Sequence, residues 1–371
     1  MALGNLLPWR RRVAARRSTD APSGLLIVSA GGLGDTALFS LILPRLIPLA
    51  NGEPVTLVLR RDGAGMGFLF QGLADIVPVD FDRYAKERRY RRAVDGQFFQ
   101  ANYRLALTSD FLRHPKRDEA MLNAAEASET LAMKARAWAK YDRDLTANEA
   151  KFDRIFDSGP DHIDKVVRWS NYANWLTGND VPPPRINLPE DRLPPADALP
   201  RETILLAPFS AVKHKQSPAG LYEDLNDLAG PERDIVLTGA PGDLDKNPDF
   251  KPLLDRPNVR FDDRPFSEML PLLRAAKLLV SVDTAAMHLG VMTGTPTLCL
   301  ASAAYVGEIV PYAAEITPPN AHFMYTPMDC EGCLGACSLP EEDGRFPCVA
   351  RLDRAAILAK AEILLNGTGS S

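Results

Sequence analysis

Leu278-Leu279-Val280-Ser281-Val282-Asp283-Thr284-Ala285-Ala286-Met287-His288 begins as an apolar run and turns abruptly polar and small. Five residues with little alternation suit a strand buried on both faces, as in a parallel sheet. A helix is expected from Thr284 to Thr293, with Asp283 at the turn between the two. The carboxyl end of such a strand is where open α/β sheets bind ligands. Free amides at Thr284, Ala285 and Ala286 could receive a diphosphate at that helix start. His288 stands four residues beyond Thr284, on nearly the same helix face. The bland alternative has Asp283 as a helix cap and His288 as a packed polar residue.

The same strand-then-helix unit recurs on both sides. Thr203–Ala207, Asp234–Leu237 and Thr297–Leu300 read as strands, with helices over 218–228 and 267–276. Upstream, Leu25–Ser29, Val55–Leu59, Asp75–Val79 and Tyr103–Thr108 read as strands. Helices are expected over 36–50 with a bend at Pro44, over 118–141 on Ala, Glu, Met and Lys content, and over 161–177. Between the two arrays, residues 181–200 hold seven prolines, which marks a semi-rigid linker. The expected domains are a basic tail (1–22), a first Rossmann-like domain (23–180), the linker (181–200), a second Rossmann-like domain (201–350) and a C-terminal helix and tail (351–371). The fold class is α/β: two doubly wound domains facing a central cleft.

Three loops carry the chemistry. Gly31-Gly32-Leu33-Gly34-Asp35 follows the first strand. Its spacing is not the dinucleotide fingerprint, which argues against a nicotinamide-dependent dehydrogenase. A carboxylate there suits deprotonation of a hydroxyl, and it equally suits capping of the next helix. Gly32 and Gly34 let a ligand approach the backbone. The second loop runs from Ser210 to Tyr222 and places Lys213, His214 and Lys215 before a helix opened by Pro218. Positive charge there suits leaving-group phosphates. The third is the Asp283 loop.

Together these loops resemble glycosyltransferase family 9, the ADP-heptose:lipopolysaccharide heptosyltransferases. The resemblance rests on Gly34-Asp35 with Pro44, on Lys215-Gln216-Ser217-Pro218 with Tyr222, and on Gly239-Ala240-Pro241-Gly242-Asp243. Its strongest part is Asp283-Thr284-Ala285-Ala286-Met287-His288 followed by Gly294-Thr295-Pro296. Ala285 stands where the family has glycine, Ser217 where it has an aromatic residue, and Asp243 where it has glutamate. The resemblance implies a GT-B fold and an inverting, metal-independent transfer of a sugar from a nucleotide sugar, ADP-heptose foremost. The acceptor would be a lipopolysaccharide-core or other surface glycan. Asp35 would be the base. Ser210, Lys215, Asp243, Asp283, Thr284, Ala285, Ala286 and His288 would hold the donor. The alternatives are a nucleotide-sugar epimerase and a binding protein that keeps the fold without transferase activity.

The formal net charge of −5 is unsuited to a general nucleic-acid binder. Basic runs at 10–17 and 83–92 fit an anionic acceptor or, for the first, peripheral membrane contact. They also fit solvated surfaces. With no long apolar stretch, a cytoplasmic location is expected. Cys330, Cys333, Cys337 and Cys348 fall close together, a spacing that suits a structural zinc, with free thiols as the alternative. No cofactor is expected for catalysis itself.

Overall fold

The computed structural model describes residues 17–367. Most of the tail at 10–17 therefore lies outside the described residues. The chain divides into two compact units. One runs up to Asp161 and includes Arg168–Pro182. The other takes His162–Val167 and the chain from Pro183 onward.

The first unit is built on β1 (Leu25–Ser29), β2 (Val55–Arg60), β3 (Asp75–Val79), β4 (Leu105–Thr108), β5 (Glu129–Met133) and β6 (Arg154–Phe156). Their order across the sheet is β3-β2-β1-β4-β5-β6, all parallel. Leu25 aligns with Val55 on one side and Leu105 on the other. The second unit holds β7 (Thr203–Ala207), β8 (Asp234–Thr238), β9 (Val259–Asp262), β10 (Leu278–Val282), β11 (Thr297–Leu300) and β12 (Ala321–Met324). These run β12-β11-β10-β7-β8-β9, again parallel. Counted from its own first strand, this is the same order as in the first sheet. Each is the doubly wound arrangement in which the winding reverses beside the first strand. The reversals lie between β1 and β4 and between β7 and β10.

The central strands have every residue buried, as their unbroken apolar sequences require. In the second unit, Leu221, Tyr222 and Leu225 of helix Ala219–Ala229 meet Ile357, Ala361 and Leu365 of helix Arg354–Asn366 on one side of the sheet. In the first unit, Phe98, Met121 and Leu122 cover Leu26 and Val28.

The helix expected over 36–50 is broken: Leu33–Phe39, then Leu43–Leu46 with Pro44 near its start, then a 3-10 turn to Ala50. No single helix among the described residues is long and apolar enough to cross a membrane; this bent pair is so by length and composition only. The long helix expected over 118–141 is not formed. A helix covers Asp118–Ala125, Glu126 turns the chain at φ 46, and β5 follows. Thr130 to Met133 are buried between β4 and β6, and ladder pairing there outweighs helix propensity. Of the helix expected over 161–177, Lys165–Thr177 forms, with Val166, Trp169, Ala173 and Leu176 all buried. The proline-rich stretch holds one 3-10 turn, Glu190–Arg192. It is pinned by hydrogen bonds from Ile186 to Ile316, Leu188 to Met292 and Asp197 to Pro271, all through backbone N–H and C=O groups.

Candidate functional site

In the first unit the loop after β1 leads directly into helix Leu33–Phe39, so Asp35 falls in that helix's first turn. Its Oδ2 accepts from the Gly32 N–H at 3.0 Å. Gly31 makes room for it, because a Cβ there would stand 2.4 Å from Asp35 Cβ. The carboxylate is half-buried and sits at the winding reversal. Asp110, on the loop after β4, comes to the same place. Its Oδ2 accepts from the Ala30 N–H at 2.6 Å and so fixes the entry to the glycine loop. Nothing in its local sequence distinguishes Asp110; only the β1–β4 pairing brings it there.

In the second unit the loops after β7 and β10 meet at the equivalent reversal. Lys215 is buried and donates to Asp283 twice, to Oδ2 at 3.0 Å and to the backbone oxygen at 2.9 Å. The Tyr305 ring lies 4.5 Å from the ammonium. Ser302 Oγ donates to Asp283 Oδ2 at 3.1 Å. Asp283 Oδ1 is buried with no hydrogen-bond partner. Burial raises the Asp283 carboxyl above its usual range, while Lys215 and Ser302 pull it back down. The loop reading puts Lys215 as positive charge above a helix start; its side chain turns inward from the 3-10 turn Lys213–Lys215 and is the buried counter-charge of Asp283. Tyr305 and Ser302 carry no motif of their own. They arrive on the loop after β11, the neighbour of β10.

Thr284 is the extended N-cap of helix Ala285–Met292, so the first N–H groups of that helix have no partners within it. Ala285 and Ala286 are buried at its start. His288 is buried one turn on. Its Nδ1 lies 2.6 Å from the Tyr312 hydroxyl, which places it behind the loop as a packing and hydrogen-bonding partner. Ser210 Oγ accepts from the Val212 N–H at 3.2 Å, and its carbonyl accepts from Gln216 at 3.0 Å. Asp243 follows β8, and its Oδ2 accepts from the Ala240 N–H at 2.7 Å. Both residues therefore shape the loops at the same sheet edge. The basic run at 83–92 is partly internal to its helices. Arg83 pairs with Glu87 at 3.0 Å, and the Arg91 guanidinium lies 5.0 Å from the Tyr84 ring.

No family model and no curated protein matches the chain. Solved structures do match. The glycosyl transferase family 9 structure from Veillonella parvula DSM 2008 superposes with a TM-score of 0.67 at 16% identity, over 94% of this chain and 98% of that one. The E. coli heptosyltransferase WaaC with ADP-2-deoxy-2-fluoro heptose gives 0.64 at 17% identity, over 93% and 100%. The E. coli ADP-heptose lps heptosyltransferase II gives 0.62 at 13% identity, over 92% and 98%. At these identities the likeness is one of fold. The chain thus has the two-domain α/β fold of the family 9 glycosyltransferases, the family its sequence motifs resemble.

Proposed function

We propose that the protein is an inverting, metal-independent glycosyltransferase that takes its sugar from a nucleoside-diphosphate sugar, ADP-heptose foremost. The observation that carries this is the group at the second winding reversal. A buried Lys215–Asp283 pair holds the start of helix Ala285–Met292, and one carboxylate oxygen of Asp283 has no partner. Free N–H groups at that helix start suit the diphosphate. The unpaired Oδ1 suits a hydroxyl of the sugar, since an unmet buried acceptor is costly until something donates to it. One of these fold neighbours, the E. coli WaaC structure, holds ADP-2-deoxy-2-fluoro heptose, which supports the nucleotide class.

Asp35 is the base in this reading. It takes the proton of an acceptor hydroxyl as that oxygen attacks the anomeric carbon and the nucleoside diphosphate leaves. The diphosphate carries away the charge, stabilised by the Thr284–Ala286 amides. Lys215 acts on it through Asp283 and the loop. An anionic surface glycan, with lipopolysaccharide core first, is the acceptor class. A cytoplasmic site of action, where nucleotide sugars are made, goes with it.

Calorimetry with ADP, UDP and GDP, followed by transfer assays with ADP-heptose, tests the reading. Selective ADP binding and acceptor-dependent loss of ADP-heptose are expected. Turnover of the nucleotide sugar without an acceptor would point to an epimerase. Absence of binding by every nucleotide would sink the donor-site assignment.

A further inference from the structure

Cys330, Cys333, Cys337 and Cys348 line one small cavity in the second unit, with Phe346 and Met328 among the residues of its wall. The cavity measures about 10 Å³, room for one water-sized sphere. All four are free thiols; Cys348 is buried and the others half-buried. The local backbone is built to gather them. Gly332, Leu334 and Gly335 take φ of 77, 54 and 83 and reverse the chain repeatedly between the first three cysteines. Helix Pro347–Ala350 delivers the fourth. Between Met324 and Pro347 the chain has no helix or ladder strand, only the isolated bridge Glu342–Arg345. The apolar cluster beneath it is small, with Ala303, Phe346, Cys348 and Val349 as its buried members. A loop of that length held by so little packing calls for a cross-link.

We propose that these four cysteines form a tetrathiolate site for one zinc-class metal ion, and that the ion braces the loops carrying Lys215 and Asp283. Soft thiolates in a four-fold set suit such an ion. Binding one divalent ion converts four thiols to thiolates and releases up to four protons, which leaves a site of net charge −2. Among the described residues no three side chains already stand as a finished ligand set, so the thiols must rotate inward onto the ion.

The bracing follows from four contacts. Gly332 and Leu334 donate backbone N–H groups to the carbonyls of Ala303 and Ala304 at 2.9 and 2.7 Å. The residues on either side of that pair are Ser302, which donates to Asp283, and Tyr305, whose ring meets Lys215. At the loop's other end the Phe346 N–H donates to the His214 carbonyl at 3.0 Å. Arg345 Nε donates to the Gln216 carbonyl at 2.9 Å, and these two acceptors flank Lys215. The cysteine loop thus grips both segments that present the buried pair. Only the bracing half of the proposal rests on the donor-site reading above; the metal site does not.

The full-length protein, purified under reducing conditions without chelator, is assayed for metal, acid-labile sulfide and disulfides. One equivalent of zinc or iron without sulfide is expected. Cys330→Ser/Cys333→Ser is expected to lose it. Because that variant could misfold, wild-type protein is also stripped of metal, checked for retained secondary structure by circular dichroism, and titrated with Co²⁺. An intense thiolate-to-cobalt absorption at one equivalent is expected. No metal and no cobalt band in reduced protein, a disulfide, or an iron–sulfur cluster would overturn the site. Stripping should weaken ADP binding by about 10-fold, an ordinary coupling between linked sites. Unchanged ADP affinity would overturn the bracing, whereas no ADP binding even by the metal-loaded protein would be a failure of the donor reading.

Discussion

Gly31 and Asp35 are packed so closely that no side chain fits between them: a Cβ on Gly31 would fall 2.4 Å from Asp35 Cβ. That atom is rooted in the first turn of helix Leu33–Phe39 and cannot swing aside as a chain end could. Gly31→Ala must therefore shift the glycine loop or the helix start. Overpacking of this kind costs about 1–3 kcal/mol. The variant is expected to lose transferase turnover while keeping its affinity for ADP, since the residues proposed to hold the donor lie in the other unit. Parallel measurement of kcat and of ADP binding checks this. Full turnover would show that the position of Asp35 is not critical.

Asp35 also holds the Gly32 N–H, so this capping role and the proposed catalytic role have to be separated. Asp35→Asn does so, because an amide oxygen still accepts that bond. Stability should change by less than about 1 kcal/mol, within the range of a cap exchange. Turnover should fall by about 10²–10⁴-fold, the usual contribution of a positioned base. If urea midpoint and turnover both stay near wild type, Asp35 is a cap and nothing more.

Lys215 and Asp283 form a pair whose side chains are 10% and 3% exposed. Removing one charge strands the other. Lys215→Met should cost about 3–5 kcal/mol, most of it the penalty of an uncompensated buried carboxylate. Lys215→Met/Asp283→Leu should recover much of that loss, because an apolar pair of similar volume is tolerated in such places. Nucleotide-sugar turnover should not recover with it. Denaturant titration of both variants beside a transfer assay gives the answer; a double variant that regains activity would reduce the pair to a structural element.

Much of this was legible beforehand, and the exceptions share a cause. β1, β7, β10 and β11 follow from nearly unbroken apolar runs, since a strand buried on both faces leaves that signature. β5 does not, because Glu129-Thr130-Leu131-Ala132-Met133 is locally as good a helix as a strand, and only its neighbours β4 and β6 decide. The chemistry divides the same way. Asp35 and Asp283 announce themselves by following strands. Asp110 reaches its winding reversal through the pairing of β1 with β4, strands distant in sequence, and Ser302 and Tyr305 arrive through the pairing of β10 with β11; no local pattern encodes either. The inward turn of Lys215 was hidden for a related reason: its counter-charge stands 68 residues away.

Asp164 offers a prediction that depends on pH. It is buried and accepts from the N–H groups of Val166 at 2.8 Å, Val167 at 3.4 Å and Ala313 at 3.0 Å, so it caps helix Lys165–Thr177 and ties it to the 313 turn. Burial pushes its carboxyl up to about 6, against the pull of those donors. An unfolded aspartate titrates near 3.9. Between about pH 4 and pH 6 the folded state therefore holds more of this proton than the unfolded state, and stability falls as pH rises through that window. A shift of roughly two units corresponds to about 3 kcal/mol at most. Asp164→Asn keeps an acceptor for the cap but cannot titrate, so its stability should lack this decline. The difference between wild type and variant in urea unfolding, followed from pH 4 to pH 7, isolates the group from all other carboxylates. A difference that stays flat across that window would mean that Asp164 is ionised throughout and that its three donors, not its burial, govern it.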